Sequence, residues 1–195
     1  MLVTDRTRCR GRDLVTVVGE AVAGGVRFVL LRERDLDAQA FTRLAGRLHR
    51  ALPRDVVLAF HSRPDVAEAL GAGVHLAEAA PPLPPGGPWH GRSVHGPGAA
   101  AGARREGAAY VIAGTVFASA AKPGVVLAGT AGLHAMCAAA APVPVYAIGG
   151  VDVARVREVR RAGAHGVAVV GAILEADAPE EAARALVSAL DRGLD

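Results

Sequence analysis

Short apolar segments alternate with amphipathic or loop segments along the whole chain, and this alternation constrains the fold more than any other feature. Seven segments rich in Val, Leu, Ile and Ala have the length of single strands, and a weaker eighth spans 89–94. The seven cover residues 1–4, 26–31, 56–60, 74–76, 110–113, 143–148 and 167–170. Strands that are apolar along their whole length have both faces covered, which is typical of a parallel sheet packed against helices.

The segments between the strands carry helical patterns. Apolar residues recur at helical spacing within 14–22, 41–48, 153–159 and 182–190. Asp13, Asp37 and Asp152 precede such patterns, where a side-chain oxygen can cap the first turn. The proline-rich stretch 79–88 does not fit a helix and is interpreted as a connecting loop.

Length and composition favour one domain. The chain has 195 residues, of which 51% are hydrophobic, enough for one core and too few for two ordinary domains. Eight strand candidates with intervening segments predict a single (β/α)8 TIM barrel of parallel strands over 1–195, with a doubly wound sheet as the alternative.

Composition and charge also exclude several function classes. The N-terminus has no apolar core of a signal peptide, and glycines, prolines and a histidine interrupt the longest uncharged run. The basic residues are spread along the chain without interleaved aromatics, which argues against a nucleic-acid partner. Cys9 and Cys137 stand alone, as expected for a reducing cytoplasm. We therefore expect a cytoplasmic protein without a membrane partner, and the sequence leaves open whether it forms a homo-oligomer.

The ends of the predicted strands carry polar residues of functional interest. In a barrel of this type the chemistry lies at the carboxyl ends of the strands. Gly149-Gly150 follows the seventh predicted strand, and Val170-Gly171 ends the eighth. Backbone N–H groups at these two ends can bind an anion, and this position is the usual phosphate site of such barrels. A tight turn is the alternative explanation for Gly149-Gly150; their place after the last two strands favours a phosphate site.

Several segments, in order over nearly the whole chain, resemble the thiamine-phosphate synthase/TenI superfamily. They are TDR at 4–6, LLRERDL at 30–36, GVHL at 73–76, GRSVH at 91–95, AYVIAGTVFASAAKPG at 109–124, YAIGGV at 146–151 and AGAHGVAVVGAI at 162–173. The resemblance implies a (β/α)8 barrel that acts on a phosphorylated thiazole. In the synthase branch, the thiazole phosphate is joined to a pyrimidine methyl diphosphate with the help of Mg²⁺.

The resemblance assigns roles residue by residue. It implies that Gly149, Gly150, Val170 and Gly171 hold the thiazole phosphate. The positions that bind diphosphate oxygens in the synthases are occupied here by Arg32, Arg34, Ser93, Ser119 and Lys122.

Other positions depart from the synthase pattern. A Gln, an Asn-Asp pair and a further Asp of the synthases are replaced by Leu30, His61, Ser62 and Ala80. The two missing carboxylates are the Mg²⁺ ligands implied by the synthase branch, and Ala80 offers the cation no side-chain oxygen. Ser62, just before Pro64, is also interpreted as the N-cap of a helix. We therefore expect an activity that needs no metal or other cofactor, with Mg²⁺ required only if the chain is a synthase.

The RER and GRSVH sequences are closer to the TenI branch, which is associated with thiazole tautomerisation. The expected function is accordingly a metal-independent thiazole tautomerase, an isomerase that aromatises a carboxythiazole phosphate by a proton shift. Thr115 stands where the TenI enzyme has its acid/base histidine, so His61 at the end of strand three becomes the candidate acid/base. Lys122 is interpreted as an anion ligand or a general acid. A thiamine-phosphate synthase and a non-catalytic barrel that binds a phosphate ligand are the alternatives.

Overall fold

Eight parallel strands form one sheet in chain order. The computed structural model describes residues 1–119 and 124–192. Each strand pairs with the next one along the chain. The strands are β1 (Leu2–Val3), β2 (Phe28–Leu31), β3 (Val57–His61), β4 (Gly73–Leu76), β5 (His90–Val94), β6 (Tyr110–Ala113), β7 (Val145–Ile148) and β8 (Gly166–Ala168).

The sheet closes between its first and last strands. A parallel bridge joins Leu2 to Val169, and the Val3 N–H donates to the Val169 carbonyl at 2.9 Å. Closure in chain order makes the structure a (β/α)8 barrel, which confirms the predicted fold and excludes the doubly wound sheet. The weak strand candidate at 89–94 is a full member of the barrel as β5.

Helices cover the outside of the barrel. They are α1 (Leu14–Ala23), α2 (Ala38–Ala51), α3 (Pro64–Leu70), α4 (Pro97–Arg105), α5 (Gly129–Ala140), α6 (Val156–Arg161), α7 (Gly171–Leu174) and α8 (Pro179–Asp191). Asp13 and Asp37 accept backbone N–H groups at the starts of α1 and α2, as predicted. Asp152 caps a short 3-10 helix that leads into α6. No helix forms in 79–88, in agreement with the loop expected there.

Side chains of every second strand residue fill the barrel interior. One buried cluster consists of Val3, Leu30, Ala59, Tyr110, Ile112 and Ala168. Below it, the rings of Phe28, Trp89, Tyr110 and Tyr146 pack edge to face, with centroids 4.9 to 6.3 Å apart. These rings lie toward the amino-terminal end of the barrel. Across the two described ranges, we find no helix with both the length and the apolar character that crossing a membrane requires.

Candidate active site at the carboxyl end of the barrel

Two adjoining cavities open at the carboxyl ends of the strands. The first, which we call the glycine cup, has a volume of about 230 Å³ and is lined chiefly by the loops after β6, β7 and β8. The second, the central cavity, has a volume of about 190 Å³ and lies over β2 to β6. Thr115, Ile148 and Val170 line both cavities. The two therefore form one site with two halves.

The glycine cup requires residues without side chains at two positions. Gly149 and Gly150 have φ angles of +101° and +60°, in the region that favours glycine. A Cβ on Gly149 would lie 2.4 Å from the Thr115 Cγ2 atom, and one on Gly150 would lie 2.4 Å from the Ala118 carbonyl oxygen. The turn therefore packs tightly against the loop after β6, and only glycine fits its conformation.

An ion pair at the edge of the glycine cup was not predicted from the sequence. The Arg8 Nε atom lies 2.5 Å from a carboxylate oxygen of Glu175. Both side chains face Gly171, where an added Cβ would lie 2.7 Å from an Arg8 nitrogen and 3.0 Å from a Glu175 oxygen. Arg8 therefore supplies a cation to the cup. In the sequence, Arg8 is marked only as a basic residue shortly after the first strand.

Arginines provide the positive charge of the central cavity. Arg32 and Arg34 line it, while Glu33 between them points away from it and is buried. Glu33 accepts the Thr4 hydroxyl at 2.6 Å, and the Thr4 oxygen in turn accepts the Arg32 N–H at 3.0 Å. The Arg6 N–H also donates to Glu33. The RER sequence thus uses its central carboxylate to hold the loop after β1, while its arginines face the site.

His61 lies in the central cavity as an uncharged imidazole. Burial, followed by the charges of Arg32 and Arg34, lowers its pKa to about 4. Its Nδ1 atom is buried and has no hydrogen-bond partner among the described residues. A neutral imidazole that lines an arginine-lined cavity is chemically able to accept a proton or a hydrogen bond from a ligand.

The histidines of β4 and β5 have partners in the structure. His75 is buried and bonds to Tyr110 through Nδ1 and to Ser93 through Nε2. His95 lies at the rim, where its Nδ1 atom is 2.8 Å from a carboxylate oxygen of Glu78. Both ring nitrogens of His75 therefore have partners inside the barrel.

The residues present do not fit a Mg²⁺ ion. Ser62 has a φ of +54°, and α3 begins after Arg63 without a side-chain cap, so the predicted N-cap role of Ser62 is wrong. In the loop after β4, the Arg92 guanidinium donates to the Ala77, Glu78 and Ala80 carbonyls at 2.7 to 3.1 Å, so these oxygens already face a cation. Within residues 1–119 and 124–192, no three His, Cys, Asp or Glu side chains are grouped to hold a metal.

The structure brings together every predicted site residue that it describes. Arg32, Arg34, His61, Ser93 and Thr115 line the central cavity. Thr115 also lines the cup, together with Ser119, Gly149, Gly150, Val170 and Gly171. Lys122 lies outside the described residues, and its role stays a prediction.

The family model described as thiamine monophosphate synthase, TMP-TENI, matches residues 1–173. A curated relative from Geobacter sulfurreducens, named putative thiamine-phosphate synthase, is 40% identical over 97% of this chain and 92% of its own length. A thiamine-phosphate synthase of Thermus thermophilus is 41% identical over 85% of this chain and 84% of its own.

Solved structures show the same architecture. The thiamine phosphate pyrophosphorylase from Pyrococcus furiosus superposes with a TM-score of 0.86 at 28% identity, covering 100% of this chain and 96% of that one. A 3-hexulose-6-phosphate synthase superposes over 97% of this chain and 99% of its own, with a TM-score of 0.69 at 22% identity, and shows the fold alone.

Proposed function

The chain belongs to the TMP-TENI family of thiamine-biosynthesis enzymes, and from this premise we propose that it binds a thiazole phosphate with the phosphate group in the glycine cup. The cup offers backbone N–H groups, the Ser119 and Thr115 side chains and the Arg8 guanidinium to an anion. The reacting ring then lies over the shared residues Thr115, Ile148 and Val170, beside the central cavity.

For the reaction, we propose thiamine-phosphate synthesis as the first candidate. The named relatives at 40 and 41% identity carry this activity in their names, which favours it over the tautomerase expected from the TenI-like sequences. The observation that carries it is that the glycine cup and a cavity lined by Arg32 and Arg34 form one site. The cup takes the thiazole phosphate, and Arg32 and Arg34 with Ser93 take the diphosphate of the second substrate.

In this reaction the thiazole nitrogen forms a bond to the methylene carbon of the pyrimidine. The bond from that carbon to the diphosphate oxygen breaks, and diphosphate leaves with the electron pair. The arginines stabilise the negative charge that develops on the leaving group. Because the residues at positions 62 and 80 do not fit Mg²⁺, we derive no step through a metal.

The synthase candidate is tested by coupling assays. Purified protein is incubated with thiazole phosphate and pyrimidine methyl diphosphate, with Mg²⁺ or with EDTA, and thiamine phosphate is measured. We expect product in both conditions, since Ser62 and Ala80 stand where the resemblance implies the carboxylates that bind Mg²⁺. Coupling that requires Mg²⁺ and stops with EDTA contradicts metal independence and keeps the synthase assignment. Absence of product in both conditions removes that assignment.

The tautomerase remains a second candidate because of one observation, the position of the His61 imidazole in the lining of a cavity that also holds Arg32 and Arg34. A proton shift needs an anchor for the substrate carboxylate and an acid/base group, but no leaving-group site. Arg32 and Arg34 suit a carboxylate, and the neutral imidazole of His61 suits a base.

His61→Gln tests the role of His61 in the tautomerase candidate. For a proton shift, we expect kcat to fall about 10²- to 10⁴-fold while substrate binding changes little, since a general base acts in the transition state. His95→Gln, in the same cavity, serves as the comparison variant. A near-normal kcat in His61→Gln shows that the base is another group. Retained ligand binding without either product favours the non-catalytic alternative.

A further inference from the structure

A chain of three hydrogen-bonding groups crosses the barrel interior and ends at the central cavity. The Tyr110 hydroxyl lies 3.0 Å from Nδ1 of His75, and Nε2 of His75 lies 2.8 Å from the Ser93 hydroxyl. Tyr110 and His75 are each only 2% exposed; His75 and Ser93 both line the cavity, and Tyr110 does not. The three residues lie on β6, β4 and β5 respectively, so the chain spans three strands.

A glycine allows this arrangement. Gly91 on β5 is the register partner of Tyr110 on β6. A Cβ on Gly91 would lie 2.2 Å from the Tyr110 ring, so the phenol crosses β5 only because position 91 has no side chain. Beyond Gly91 the ring stacks on His75, with centroids 5.5 Å apart and planes inclined at 26°.

The protonation states of Tyr110 and His75 determine which atom donates in each of these hydrogen bonds. Burial raises the pKa of Tyr110 far above its usual range, so the phenol keeps its hydrogen. A buried hydroxyl donates that hydrogen to an acceptor, and within the described residues that acceptor is His75 Nδ1. Burial also lowers the pKa of His75 to about 3, which keeps the ring neutral. The single ring proton therefore lies on Nε2.

This proton then determines what Ser93 can do. In this tautomer Nε2–H donates to the Ser93 oxygen 2.8 Å away, so the serine hydroxyl is already an acceptor on its buried side. Its own hydrogen is left to point elsewhere, and the central cavity with its arginines is the space that Ser93 faces. The opposite ring tautomer would take the serine hydrogen and leave the cavity only lone pairs.

We propose that Tyr110 is a positioning residue that fixes the Nε2–H tautomer of His75 and so orients the Ser93 hydroxyl as a hydrogen-bond donor to an anionic oxygen of the substrate. The part of this inference that concerns the substrate rests on the proposed function. The part that concerns the tautomer does not.

The first test reads the tautomer of His75 directly. ¹⁵N NMR of selectively labelled ligand-free protein distinguishes protonated from unprotonated ring nitrogens. We expect the Nε2–H form in the natural protein and a mixture of tautomers in Tyr110→Phe. Tyr146→Phe is the matched control, because Tyr146 packs against Tyr110 without taking part in the hydrogen-bonded chain. An Nδ1–H form in the natural protein, or an unchanged spectrum in Tyr110→Phe, overturns the inference, and the first of these needs no variant to fold.

The second test measures the consequence for binding. Inorganic diphosphate is the probe, titrated by calorimetry into the natural protein, Tyr110→Phe, Ser93→Ala and the double variant. We expect each single change to weaken binding about 3- to 10-fold, the value of one hydrogen bond, and the double variant to lose no more than Ser93→Ala alone. If the losses of binding free energy in the two single variants add up in the double variant, the proposed hydrogen-bonded chain from Tyr110 to Ser93 is contradicted. If the natural protein shows the expected tautomer but binds no diphosphate, the proposed function fails and the tautomer assignment stands.

Discussion

The glycine cup and the central cavity adjoin each other but are built in different ways. The cup depends on backbone: Gly149 and Gly150 bring peptide groups into a position that any Cβ would obstruct. The central cavity depends on side chains, and their orientation is set by residues that do not reach the cavity themselves, such as Glu33. Substitutions should therefore act on the cup through steric and electrostatic exclusion, and on the central cavity through altered orientation or protonation.

The largest effect is expected from Gly171→Asp in the cup. Its Cβ would lie 2.7 Å from an Arg8 nitrogen, and its carboxylate would repel a bound phosphate while attracting the Arg8 guanidinium. We expect affinity for thiazole phosphate to fall by at least about 100-fold in calorimetry, roughly the value of a charge-assisted contact replaced by repulsion.

Gly98→Asp on α4 provides the control, because a Cβ at Gly98 meets open space and the position lies outside the lining of the cup. Thermal unfolding of both variants checks that each is folded. Unchanged affinity in a folded Gly171→Asp variant would show that the phosphate binds elsewhere, and the contrast between the two halves would be lost.

The same difference explains what the sequence could predict. The cup was predictable because its signal is local: glycines directly after strands seven and eight, at a barrel position with a known use. Arg32 and Arg34 were assigned through the family resemblance, because the RER sequence directly follows the second strand. The barrel itself followed from the alternation of apolar strands with helices, and even the weak strand at 89–94 is part of it.

Contacts between distant parts of the chain could not be predicted. Arg8 and Glu175 are 167 residues apart, and nothing in either local sequence indicates the ion pair. The contact of Tyr110 with His75 depends on the exact register of three strands and on Gly91. The helices α4 and α5 were also not predicted as patterns, since PGAAAGARR and GTAGLHAMCAAA alternate small residues with little contrast between faces.

A second, smaller effect is expected on the pH dependence of stability, and it comes from the histidines of the central cavity. Burial lowers the pKa of His61 to about 4 and that of His75 to about 3, while both take up a proton near pH 6.5 when unfolded. The unfolded chain therefore binds more protons below pH 6.5, and stability should fall as the pH is lowered from 7 to 5.

Chemical denaturation at pH 7 and pH 5 measures this loss in the natural protein and in His61→Gln. We expect the variant to lose roughly 1–2 kcal/mol less than the natural protein over this interval, since its glutamine does not titrate. His49→Gln, at an exposed position on α2, is the control and should behave like the natural protein. An identical pH dependence in His61→Gln would mean that His61 is accessible and protonated in the folded state.

The smallest effect is expected where the cup does use side chains, at the partly exposed pair of Arg8 and Glu175. Their side chains are 25% and 46% exposed, so solvent screens the interaction. Glu175→Gln removes a negative charge that competes with phosphate for Arg8, and we expect thiazole phosphate to bind about two- to fivefold more tightly. Arg8→Ala should weaken binding.

The two variants should change the affinity for thiazole phosphate in opposite directions, and both changes should become smaller at high salt. This result would show that Glu175 competes with the phosphate for Arg8 and does not merely hold Arg8 in place. If Glu175→Gln weakens binding instead, the carboxylate serves to hold Arg8 in place, as Glu33 holds the loop after β1. In that case the cup, like the central cavity, depends on a residue that orients another, and the difference between the two halves is smaller than their glycines suggest.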